Sequence, residues 1–137
     1  MKLLENKTAI ITGASRGIGR AIAKIFAENG CDVAFTYNNS KEAAENLIME
    51  LTEQNVRVKA YQSNAANFEA AHKLVDEITH DFKGLDILVN NAGMTVVGTL
   101  DNNEQDEWDN VINTNLRGPW ALSKFWLKSR LEKNQKN

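Results

Sequence analysis

A chain of 137 residues with a formal net charge of −2 and interspersed acidic and basic residues fits one domain, long enough to bury a core. That balance offers no basic face, so nucleic acid is not expected as a partner, and no apolar run is long enough to suggest a membrane span. The single cysteine, Cys31, has no intramolecular partner, which fits a reducing, cytoplasmic setting and a small buried side chain.

The N-terminal MKLLENK reads as too short and polar for a signal peptide. Thr8-Ala9-Ile10-Ile11 is a short apolar run closed by a glycine turn, as expected of a buried parallel strand. Ile18, Ala21, Ile22 and Ile25 then recur at helical spacing until Asn29-Gly30 stops them. Val33-Ala34-Phe35 gives a second strand. Ala44, Leu47, Ile48 and Leu51 form a second helical stripe, entered through Asn39 with Glu42 at the spacing of a capping box. Tyr37 therefore falls at a strand end and Lys41 at a helix start, so their spacing of four does not make a catalytic pair on one helical face.

Val56 to Tyr61 is expected as a third strand, and Phe68, Ala71, Val75, Ile78 and Phe82 as a third helix behind the cap Asn67. His72 and His80 lie in that helix, off a shared face and without other ligands, and are read as surface residues rather than a metal site. Leu85 to Val89 is a fourth strand. From Glu104, Trp108, Val111, Ile112, Asn115 and Leu116 begin a long helix that continues past Pro119 to about Leu131, leaving LEKNQKN to fray. Regular β-α alternation predicts the α/β class: an open, doubly wound parallel sheet with right-handed crossovers, in one domain over 1–137.

TGASRGIG follows the first strand and opens the first helix. Gly13, Gly17 and Gly19 allow a tight turn and close approach of a ligand, and the helix start offers unpaired N–H groups and partial positive charge to a phosphate. In a β-α-β unit this is a dinucleotide signal. The second strand end, where a carboxylate would meet the ribose hydroxyls of NAD, reads Tyr37-Asn38-Asn39-Ser40 and has no acid. Arg16 and Lys41 bring positive charge there instead, so NADP(H) is expected over NAD(H).

TGASRGIG at 12–19, NNAG at 90–93 and NTNLRG at 113–118 together resemble the short-chain dehydrogenase/reductase family, most closely its 3-oxoacyl-acyl-carrier-protein reductases. The resemblance implies a Rossmann-type sheet in the order 3-2-1-4. It also implies that Gly13, Ser15, Arg16, Gly17, Ile18 and Gly19 hold the cofactor's phosphates and ribose. Asn64-Ala65 stands where the family usually has an aspartate meeting the adenine ring. Asn90, Ala92 and Gly93 resemble the segment lining the ribose. Asn115 matches the helix asparagine of the family's Asn-Ser-Tyr-Lys catalytic set, whose backbone carbonyl holds a water. Pro119, four residues on, lacks the N–H that would normally bond that carbonyl.

The remaining Ser and Tyr-x-x-x-Lys are expected on a fifth strand and following helix. The chain reaches Asn137 where that strand should start, and neither Ser123, Ser129 nor Tyr61 fits the pattern. The expectation is the cofactor-binding half of a reductase, truncated before the fifth strand and inactive alone. Its fourth strand would be an uncovered edge, and its marginal stability would follow. The family resemblance further implies a carbonyl substrate, carried as a small molecule or on acyl carrier, and homo-oligomers built through the long helix 104–131. A non-catalytic NADP(H)-binding or partner-subunit module is the alternative.

Overall fold

The computed structural model describes residues 1–136. Four short strands pair in parallel in the order β3-β2-β1-β4: β1 is Thr8–Ile11, β2 Asp32–Tyr37, β3 Val58–Gln62 and β4 Ile87–Val89. This is the expected open α/β sheet and strand order. Helices α1 (Gly17–Glu28) and α2 (Lys41–Thr52) cover one face, while α3 (Phe68–Phe82) and α5 (Gly118–Gln135) cover the other. Helix α4 (Gln105–Ile112) leads into α5 through a π-helical turn at Asn113–Arg117.

Alternation along the strands divides the core in two. Ile10 and Ala34 face α3 and α5, whereas Ile11, Val33 and Phe35 face α1 and α2. With both faces covered, the strands read as continuous apolar runs. Ile10, Ile11 and Phe35 are fully buried, each worth roughly 1.5–3 kcal/mol relative to exposure. Asn67 caps α3 as expected, its side-chain oxygen accepting from the Ala70 N–H at 3.1 Å.

Several expectations are corrected. In α1 the buried positions are Gly19, Ala23 and Ala27, while Ile18 and Ile25 are 75% and 57% exposed. The sheet-facing side uses small residues because the helix starts hard against its own loop: a Cβ on Gly19 would lie 2.7 Å from the Gly13 carbonyl oxygen. The capping box from Asn39 does not form. Ser40 is the N-cap, without a side-chain bond, and Asn39 contributes its carbonyl, which accepts from the Lys41 N–H at 3.2 Å. Strands β3 and β4 begin later than expected, at Val58 and Ile87.

The long helix is present, interrupted by the π turn, and it does not fray at Leu131. Its last turns are pinned to the start of β4, where the Trp126 indole N–H donates to the Leu85 carbonyl at 3.2 Å and Arg130 pairs with Asp86 at 2.8 Å. Helix α4 buries none of its residues, leaving Trp108 61% exposed. Among the described residues no helix is long and apolar enough to cross a membrane.

Candidate functional site

The carboxyl end of β2 and the segment after β4 flank the loop Thr12–Arg16 between β1 and α1. In open parallel sheets this edge, at the switch point beside β1, is where ligands lie. Gly13 and Gly17 adopt φ of +65° and +60°, conformations that a side chain disfavours. Two threonines and an asparagine fix the loop between its neighbouring strands. Toward β2, the Gly13 N–H donates to the Thr36 hydroxyl at 3.0 Å and the Ala14 N–H to the Thr36 carbonyl at 3.0 Å. Toward β4, the Thr12 hydroxyl oxygen accepts from the N–H groups of Asn91 and Ala92 at 3.0 and 2.9 Å. The Asn91 amide donates back to the carbonyls of Thr12 and Gly13 at 2.9 and 3.1 Å.

Above this clamp, α1 opens without a side-chain cap. Its N-cap is Arg16, in extended conformation, and its first turn carries no acid. The first-turn N–H groups are thus unclaimed by side chains, an arrangement suited to an anion. Arg16 is exposed, and none of the ion pairs among the described residues involves it. Ser15 is nearly buried within the loop and Ile18 projects into solvent beside it. Past β2, Tyr37 is partly buried and Asn38, Asn39 and Ser40 are exposed. No carboxylate lies between Thr36 and Lys41. The Asn38 carbonyl accepts from the Gln62 amide at 3.0 Å, tying this loop to β3.

A single crevice joins the ends of these strands. Thr12, Thr36, Asn64, Ala65, Asn90 and Ala92 line it, and Thr114, Gly118 and Leu122 close its far side. Asn64 sits in a turn of its own: its side-chain oxygen accepts from the Ala66 N–H at 2.9 Å, and its carbonyl from the Asn67 N–H at 3.0 Å. Asn90 donates to the Ser123 hydroxyl at 3.2 Å. Gly93 and Asn115 meet outside the crevice lining, where a Cβ on Gly93 would lie 3.4 Å from the Asn115 side-chain oxygen. Both halves of the Asn115 carboxamide grip Met94, accepting from its N–H at 2.8 Å and donating to its carbonyl at 2.7 Å.

The π turn around Asn115 shifts the helical ladder, since the Gly118 N–H donates to the Asn113 carbonyl rather than to that of Thr114. Pro119 falls in the first turn of α5, where its missing N–H interrupts least. Gly118 is required there because a Cβ would collide with the Ala65 carbonyl oxygen. Such π turns often mark functional positions.

Thr12, Thr36 and Asn91 carry the clamp yet were not singled out from the sequence. Their signal was faint: a hydroxyl directly after, or closing, an apolar strand, and the second asparagine of NNAG. The perturbed ionisable groups lie elsewhere. Burial, then the charge of Asp32, pushes the Cys31 thiol up to about 12. Burial, then a hydrogen bond to Asp81 at 2.7 Å, raises the Tyr61 phenol. Both groups stay protonated, and neither lines the crevice. No group of three metal-ligating side chains gathers among the described residues.

The family model for short chain dehydrogenase matches residues 7–136. The chain belongs to the short-chain dehydrogenase family. It is 44% identical over 113 residues to 3-oxoacyl-acyl-carrier-protein reductase of Staphylococcus epidermidis, an alignment covering 82% of this chain and 46% of that protein. The Vibrio cholerae enzyme of the same name is 39% identical over 132 residues, covering 96% and 52%. Among solved structures, a short chain dehydrogenase from Burkholderia cenocepacia in complex with NADP superposes with a TM-score of 0.90 at 40% identity, covering 92% of this chain and 51% of that one. A blue fluorescent protein from a metagenomic library, in complex with NADPH, gives 0.89 at 34% identity, covering 94% and 53%. The chain thus spans about half the length of the family members it matches.

Proposed function

We propose that this chain is the NADP(H)-binding part of a short-chain reductase that, with its remaining half, reduces a 3-oxoacyl or related carbonyl substrate. The observation that carries this reading is the uncapped start of α1 above the clamped glycine loop, beside a strand end without a carboxylate. Gly13 and Gly19 let the pyrophosphate approach, with Ser15, Gly17 and Ile18 beside it. Arg16, with donors from Tyr37, Asn38, Asn39 and Ser40, meets a ribose 2′-phosphate, which an acid at this place would repel. Asn64 and Ala65 lie at the adenine end, and Asn90, Ala92 and Gly93 along the second ribose. The cofactor, when bound, supplies hydride to a carbonyl carbon.

Asn115 holds its loop through its side chain, and its backbone carbonyl, in the shifted part of the ladder, is the candidate holder of a relay water. Proton delivery to the carbonyl oxygen needs a further acid. Tyr61 is bound to Asp81, and Tyr37 ends β2, so neither is placed to serve. The chain alone therefore binds cofactor without turnover. The 3-oxoacyl class rests on the similarity to the reductases of that name. The exposed Trp108, Leu116, Trp120 and Leu127 of the long helix support homo-oligomers assembled through it, and the unpaired Cys31 supports a reducing, cytoplasmic setting.

Titration with NADPH and NADH, followed by nicotinamide fluorescence, tests this. Tighter binding of NADPH is expected, with the gap narrowed about tenfold in Arg16→Ala, the size of one charge-assisted contact. Equal affinity for both nucleotides, or oxidation of NADPH by this chain with a 3-oxoacyl thioester, contradicts the proposal.

A further inference from the structure

We propose that Asn39 is a site of spontaneous deamidation, and that the carboxylate formed there turns the nucleotide site from NADP(H) toward NAD(H). The change of preference rests on the dinucleotide reading above, whereas the modification itself does not. Asparagine is among the thermally labile residues, and its loss of ammonia is intramolecular. The backbone nitrogen of the following residue, giving up its proton, attacks the side-chain carbonyl carbon and expels ammonia, closing a succinimide ring. Water then opens that ring at either carbonyl and leaves aspartate or its β-linked isomer, so each event consumes a water and releases an ammonia. The reaction needs a free side-chain amide, a following N–H that is not already donating, and a following side chain small enough to leave that nitrogen open.

Asn39-Ser40 meets all three conditions. Both residues are exposed in the bend between β2 and α2. Among the described residues no hydrogen bond engages the Asn39 amide or the Ser40 N–H; only the Asn39 carbonyl is held, accepting from the Lys41 N–H at 3.2 Å. Asn38 is less free, because the Gln62 amide holds its carbonyl at 3.0 Å and the larger Asn39 follows it. Asn29-Gly30 has the least hindered following residue in the chain, yet it is locked. The Asn29 amide donates to the Ile25 carbonyl at 2.9 Å, and the Gly30 N–H to the Ala27 carbonyl at 2.9 Å. Position 39 also lies in the acid-free stretch past β2. A carboxylate there repels a ribose 2′-phosphate and accepts from the 2′-hydroxyl of NAD. It stands just before Ser40, the N-cap of α2, where the helix dipole favours negative charge, so the product keeps its fold.

The test incubates the whole chain at mildly alkaline pH, which deprotonates more of the attacking nitrogen, and maps by peptide mass spectrometry where the amide-to-acid mass gain arises. Conversion is expected first at Asn39, ahead of Asn29. In Asn39→Gln, whose longer side chain must close a larger ring, the gain at that position should disappear. NADPH and NADH are titrated in parallel by nicotinamide fluorescence. The preference for NADPH should fall about tenfold as the site converts, the size of one charged contact, and approach the ratio shown by Asn39→Asp. The ratio in Asn39→Gln should not drift with incubation. Conversion that begins at Asn29, or none at Asn39, overturns the modification. An NADPH preference in Asn39→Asp equal to that of wild type overturns its effect on the cofactor. Failure of fresh wild type to bind either nucleotide overturns the dinucleotide reading and with it the change of preference, while the mass map still decides the modification.

Discussion

Thr12→Val is the sharpest probe of the clamp that positions the glycine loop. Valine matches threonine in shape and suits a strand end, so no cavity forms and the local backbone preference is kept. What disappears is an acceptor. The Ala92 N–H, now 2.9 Å from the hydroxyl, is left without it in a place where Thr12 itself is 7% exposed, whereas the Asn91 N–H keeps the Val89 carbonyl at 3.1 Å. At about 1–3 kcal/mol for the one stranded donor, the loss should be about 2 kcal/mol. Urea melting measures it: the midpoint should fall while the slope stays constant. Thr12→Ser, which keeps the acceptor and deletes one methyl, should cost only about 1 kcal/mol. If Thr12→Val costs less than Thr12→Ser, the hydroxyl does not hold the loop and the reasoning fails.

Gly19→Ala should displace the glycine loop, because the added carbon meets the Gly13 carbonyl oxygen at 2.7 Å; NADPH affinity should drop by about tenfold or more, with a melt lowered by about 1–3 kcal/mol. An unchanged affinity would mean that the loop is not the nucleotide seat. The Lys59 ammonium, then the Tyr61 hydroxyl, hold the Asp81 carboxyl below its ordinary 3.8, so its stabilisation exists above that value and is lost as the pH falls through the lowered folded pKa. Asp81→Asn should therefore lower stability at neutral pH and flatten the acid limb, and thermal melts at neutral and acid pH that shift equally would refute this. Cys31 runs the other way: its thiol, raised from 9.0 to about 12, favours the folded state below about 9, and that contribution is lost as the pH rises toward about 12. Cys31→Ala should make that alkaline slope shallower, leaving the part that belongs to the raised Tyr61 phenol, and melts across this range whose slope is unchanged would refute the Cys31 contribution.

The sheet was legible because its strands are apolar runs between glycine turns and helical stripes, and right-handed crossovers leave few ways to connect them. The phase of α1 was not, since four exposed or half-exposed apolar residues mimic a core stripe while the true contact uses Gly19, Ala23 and Ala27, small residues that periodicity discounts. The capping box at Asn39 had the right spacing, but the chain closes that turn through a carbonyl. The π turn is a tertiary effect, set by Gly118 against Ala65 and by Asn115 gripping Met94, contacts between segments far apart in sequence. Helix α5 outlasts its expected end for the same reason, because Trp126 and Arg130 find partners at Leu85 and Asp86. The glycine loop was visible as a motif, whereas the hydroxyls that aim it were visible only once their partners were placed.

The most direct measurement is a titration of nitrogen-15-labelled protein with NADPH, following each backbone amide. The amides from Gly13 to Gly19 should shift most, those of 37–40, 64–65 and 90–93 should follow, and the opposite end of the sheet near Lys83 and Lys133 should stay still. Saturable shifts centred anywhere else, or none at all with the protein folded, would contradict the claim that the uncapped start of α1 is a nucleotide phosphate site.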